Sequence, residues 1–139
     1  MADNYGVTFA HRLIQQGEYE QALTAADKHE AQDGQNPEPH HDRARALALL
    51  GRHEEAVAAY ARAIELDRTE QMLPDWEVDD GLFSTVVAWG QALSGEAARL
   101  AALGRYQALL PAGQHLKEAQ EWALRFRGLL PTTFVKPRD

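Results

Sequence analysis

Leu50-Gly51-Arg52-His53-Glu54-Glu55-Ala56 is the stretch on which the fold turns. Its key residues stand 34 positions upstream as well: Ala10, Leu13, Gly17, Glu20 and Ala22 return as Ala44, Leu47, Gly51, Glu54 and Ala56. A fixed 34-residue period with small residues and a glycine in mid-repeat marks a helix–turn–helix unit that stacks into a solenoid. Each unit exposes an apolar face that it cannot bury alone, so its neighbours must cover it.

Working outward, residues 39–50 and 53–66 read as the two helices of a second repeat (37–70). Residues 4–16 and 18–31 read as those of a first repeat (3–36). Val57, Tyr60, Ala63 and Ile64 recur at helical spacing and form one stripe. Phe9, Ala10 and Leu13 share a face in the same way, and Phe9, Leu13, Leu47 and Tyr60 are expected to fill the core. Gly17 and Gly51 close the first helices, because glycine accepts the left-handed conformation found at helix ends. Pro37 and Pro39 can start a helix but cannot continue the previous one.

The period then breaks. Residues 69–80, with Pro74-Asp75-Trp76-Glu77-Val78-Asp79-Asp80, read as an acidic connector (71–80 once the second repeat is closed), and Asp79 or Asp80 caps the next helix. Ala97, Leu100 and Gly104 repeat the spacing of Ala10, Leu13 and Gly17. Residues 81–133 therefore read as a degenerate third repeat and C-terminal helix, followed by a short tail, 134–139. Ten residues are inserted after Tyr106, and there Pro111 and Gly113 interrupt the helix. A competing register pairs 81–94 with 96–110 and leaves 113–129 as a separate cap. Either register gives an all-α solenoid of six to seven antiparallel helices in one domain. Lys117, Glu118, Glu121, Arg125 and Arg127 are expected to form the polar outer face of the terminal helix.

The segment 50–56, with Tyr60, Ala63, Ile64 and Leu66, resembles the tetratricopeptide repeat (TPR) family. The resemblance implies a non-enzymatic adaptor that binds a protein segment, extended or helical, in a concave groove. In this chain it directs Asn4, Thr8, His11, Glu38, His41, Asp42 and Arg45 to that groove. Arg68 stands where the family usually has a proline. Some members grip a chaperone's C-terminal carboxylate with lysines and asparagines; Val7, His11, Asp42, Gln91 and Gly95 take those places here, and Asp42 would repel such a ligand. As groove rather than core, Asp42 is expected to tolerate exchange for lysine.

The chain carries 21 acidic and 14 basic side chains, a net charge of −7. That balance disfavours nucleic acid and favours a partner segment carrying Lys or Arg. There is no cysteine, no basic segment leading into an apolar run at the start, and no apolar stretch near the ~20 residues that span a bilayer. The expected address is a reducing cytoplasm without membrane insertion. The excess of Arg over Lys, with abundant alanine, is compatible with a GC-rich bacterial genome.

His11, His41 and Asp42 invite a metal reading, yet their spacing matches no known site and adjacent His40 and His41 diverge on a helix. No metal, cofactor or catalytic residue is assigned: there is no phosphate loop, nucleophile elbow or metalloprotease histidine pair. Trp89 and Trp122 fall on apolar stripes and read as core. Trp76 is expected to pack back onto the solenoid; its other reading is a partner anchor. The second functional reading is a structural module that self-associates, as in a homodimer, through its C-terminal half, and the third is a metal-binding or enzymatic helical domain.

Overall fold

The computed structural model describes residues 7–130. These form seven helices and no strand: α1 (Phe9–Gln15), α2 (Tyr19–Gln32), α3 (Glu38–Leu49), α4 (His53–Glu70), α5 (Asp75–Ala92), α6 (Glu96–Leu109) and α7 (Leu116–Phe126). Each helix packs on the next in sequence. In addition α1 touches α3, α3 touches α5 and α4 touches α6, which stacks the pairs as a TPR-like helical repeat.

The period is visible in the backbone. Gly17 and Gly51 have φ of 81° and 78°. Behind each, the same two bonds close the helix: Gly17 N to Ile14 O (3.0 Å) with Glu18 N to Leu13 O (2.8 Å), and Gly51 N to Ala48 O (3.0 Å) with Arg52 N to Leu47 O (2.9 Å). This is the glycine C-cap that satisfies orphan carbonyls. The inner contacts carry fully buried alanines, Ala22, Ala26, Ala44, Ala56 and Ala63, so the helix axes approach closely. Tyr60, Val57, Leu82, Val86 and Tyr106 fill the remaining core.

The second half departs from the expected organisation. The acidic run is no connector: Asp75 to Asp80 form the first turns of α5, behind Pro74, and only residues 71–74 link α4 to α5. Asp75 and Glu77 suit a helix N-terminus, where acidic side chains meet the positive end of the dipole. Asp79 and Asp80 therefore cap nothing. Gly104 lies inside α6, whereas Gly95, with φ of 91°, opens that helix. The competing register is the one adopted: α5 pairs with α6, and α7 stands apart as a cap on α6. The helix does break at Leu109, ahead of Pro111 and Gly113.

Three side chains also depart from expectation. Phe9 is 66% exposed rather than core. Trp76, on the first turn of α5, is 60% exposed and does not pack back. On α7, Arg125 is buried and lies 4.9 Å over the Trp122 ring, while Leu124 faces outward. Trp89 and Trp122 pack against the core but are only partly buried.

Candidate functional site

Six of the seven groove residues named from the sequence come together. Thr8, His11, Glu38, His41, Asp42 and Arg45 line one cavity of about 400 Å³ between α1, α3 and the start of α5. Asn4 lies outside the described residues. Gln71, Met72, Leu73, Pro74 and Glu77 complete the wall, and these the sequence reading missed. A proline followed by acids ahead of the apolar series Val78, Leu82, Val86 is a helix-start pattern; weighed above the charge run, it points to Glu77.

The wall is a fixed turn. Gln71 ends α4 in the left-handed region at φ 52°, and the Asp67 carboxylate accepts from Met72 N (2.6 Å) and Leu73 N (3.0 Å).

Opposite it, polar atoms pair across the repeats. Thr8 caps α1 by accepting from His11 N (2.9 Å), and its hydroxyl donates to Asp42 Oδ2 at 2.6 Å. Arg45 lies 2.8 Å from His11 Nδ1. Arg45 also stands 4.0 Å from Asp42 and 4.0 Å from Glu77. Adjacent His40 turns the other way, against Arg43 (3.1 Å) and Glu30 (3.6 Å) on the α2 side.

Two of these residues are core as much as groove. Asp42 is only 5% exposed, and burial pushes its carboxyl pKa up, opposed by the Thr8 hydrogen bond and the charges of Arg45 and His11. The expectation that lysine fits at Asp42 is therefore overturned, because it would bury a second cation beside Arg45. His41 is 6% exposed; burial, reinforced by Arg45 and His11, lowers its pKa to about 4, so the ring is neutral. It sits 6.0 Å from the Tyr60 ring, and its Nε2 has no hydrogen-bond partner. Glu38 and Glu77, partly exposed, are the acids a ligand can reach.

His11 and Asp42 spend polar atoms on Arg45 and Thr8, and no cluster of three His, Asp or Glu among the described residues is placed to hold a metal ion. Residues 37–70, which carry α3 and α4, match the family model of the tetratricopeptide repeat. The chain carries a tetratricopeptide repeat. No curated protein matches it. A TPR is a protein-interaction module and generally a non-enzymatic one, and here the matched repeat supplies Glu38, His41, Asp42 and Arg45. None of its helices, nor any other described helix, is long and apolar enough to cross a membrane.

Proposed function

We propose that this TPR protein is a non-enzymatic adaptor that holds a basic segment of a partner protein in the cavity between α1, α3 and α5. The observation that carries the reading is the charge left accessible there. Three acids, Glu38, Asp42 and Glu77, line the cavity against the single Arg45, which stands 4.0 Å from both Asp42 and Glu77; Glu38 and Glu77 are the partly exposed ones, and Met72, Leu73 and Pro74 supply apolar wall. A Lys or Arg beside an apolar residue satisfies both surfaces. Trp76, next to Glu77 in the chain and 60% exposed on the first turn of α5, offers its ring as an anchor for the same partner. A cytoplasmic address fits a chain without cysteine.

The test uses fluorescent nine-residue peptides with central Arg-Leu or Glu-Leu pairs, titrated against the wild type and the E38K/E77K double variant. The Arg peptides should bind more tightly and associate faster, with an affinity that falls as salt rises. The double variant should reverse the preference. Equal binding of both peptides, or a preference unchanged in the variant, rejects the assignment.

A further inference from the structure

A second surface stands at the opposite edge of α1 and α2. Phe9, Ala25, Lys28, His29 and Gln32 are among the residues lining an open cleft of about 550 Å³, more apolar than the groove. Phe9 lies along it with two-thirds of its surface exposed, and Val7 beside it is 41% exposed.

The repeat itself says what such a surface receives. Moving 34 positions along the chain, Phe9 becomes Arg43, Ala10 becomes Ala44, Leu13 becomes Leu47, Ala25 becomes Ala59, His29 becomes Ala63 and Gln32 becomes Leu66. In the second repeat this face is closed: Ala44, Leu47, Ala59, Ala63 and Leu66 are all buried. The α3 part of it is covered by a helix, α2, packed along α3. Asp27 and Glu30 of α2 hold Arg43 at 2.8 and 2.6 Å, and Leu23 packs into the same core cluster. In the first repeat Ala10 and Leu13 are buried as their counterparts are, but Ala25 and His29 are only partly buried, Gln32 is exposed, and Phe9, exposed with no described helix on it, replaces the arginine that anchors α2.

We infer that the α1–α2 edge is a docking seat for an amphipathic helix of a partner protein, which lies on Phe9 and Ala25 as α2 lies on α3. Its occupant continues the helix stack, so the shape it must match is already built. The exchange of Arg43 for Phe9 changes the chemistry required. Where α2 brings two carboxylates, the occupant brings apolar residues at i, i+3 or i+4, and i+7. Lys28 and His29 line the seat and no acidic side chain does, so carboxylates beside the apolar stripe suit its rim. The seat shares only Thr8 with the groove and differs in what it takes: an apolar helix with acidic flanks, whereas the groove takes a basic segment.

A displayed library of amphipathic 18-residue helices provides the probe. Selection on the full chain should enrich sequences with an apolar stripe and acidic flanks. Their binding should fall at least tenfold with F9D and with A25R, while E38K/E77K leaves it unchanged. Phe9 is exposed, so F9D should keep the wild-type circular dichroism spectrum and melting midpoint. Failure to enrich helical binders, or binders indifferent to both seat variants, overturns the inference. A concentration-dependent dimer in sedimentation that F9D abolishes also overturns it, because the occupant is then a second copy.

Discussion

Thr8 and Asp42 occupy the same place in successive repeats, and the hydroxyl of one donates to the carboxylate of the other at 2.6 Å across that 34-residue interval. His11 and Arg45, also 34 apart, meet at 2.8 Å. The repeat places like positions of α1 and α3 side by side, and the sequence puts complementary groups at them. The cavity is thus lined by bonds that also hold the stack together.

Removing the Thr8 hydroxyl should show this double duty. T8V loses the α1 cap and leaves the buried Asp42 without its donor, for a combined cost of about 2–4 kcal/mol. T8S should lose less than about 1 kcal/mol, because both bonds survive. Urea unfolding of each variant, alone and with D42N, separates the two contributions: the loss from T8V should shrink to the cap alone when the carboxylate is neutral. An undiminished loss in the double variant would show that Asp42 does not depend on Thr8.

Acid should destabilise the fold through His41. Its folded pKa of about 4 lies below the ordinary histidine value of 6.5, so between those values the unfolded chain binds a proton that the folded chain refuses. Stability from this residue is present above about pH 6.5 and is lost as pH falls toward 4, by roughly 3 kcal/mol. H41F, which keeps a ring against Tyr60, should flatten the profile over that window when unfolding is followed at several pH values. A profile as steep as that of the wild type would assign the acid sensitivity to other groups.

Glycine-to-alanine exchanges should give opposite signs at two positions the sequence makes look alike. Gly51 has φ of 78°, and alanine there should cost about 1–2 kcal/mol. Gly104 sits within α6 with open space where a Cβ would go, so G104A should gain about 0.5–1 kcal/mol. At Gly81 a Cβ would stand 2.1 Å from the Tyr60 hydroxyl, and alanine should cost about 1–3 kcal/mol by overpacking α4 against α5. Thermal melts of the three variants measure all three signs.

The turn after α6 is held by one buried hydroxyl. Tyr106 donates to Asp79, while its oxygen accepts from His115 N at 2.8 Å and Asp79 accepts from Gln114 N at 2.9 Å. Y106F should cost about 2–3 kcal/mol, because it leaves a buried carboxylate short of a partner. Hydrogen exchange at Gln114 and His115 should rise more than at Leu82. Uniform acceleration along the chain would mean global unfolding rather than release of this turn.

The same turn should loosen as pH rises. The His115 ring, stacked at 4.6 Å on Phe83, bridges Asp80 at 2.7 Å and Glu118 at 2.6 Å. Burial tends to lower its pKa, but the bonds to both carboxylates prevail and raise it. Its contribution is therefore full below the unfolded value of about 6.5 and is lost as pH climbs through the higher folded value. NMR titration of the ring should give a midpoint above the unperturbed histidine value, and one that falls in D80N.

The sequence by itself determined the all-helical class, the 34-residue period and the two glycine caps, and its repeat register put Thr8, His11, Glu38, His41, Asp42 and Arg45 on one side of the stack, where they line a single cavity. These follow from local rules: helical spacing, left-handed glycine and a repeat that copies its geometry each time it copies its pattern. Only the tertiary structure decided that Gly104 is mid-helix and Gly95 the turn, since equal spacing of small residues serves a close helix contact and a helix end alike. It alone made Asp75 to Asp80 the start of α5, because an acidic run suits solvent and a helix N-terminus equally well. It also sorted the groove into buried Asp42 and His41 and accessible Glu38 and Glu77, and left Phe9 uncovered. Burial depends on which neighbour arrives: Arg43 is met by Asp27 and Glu30 of α2, whereas no described helix lies on its counterpart Phe9.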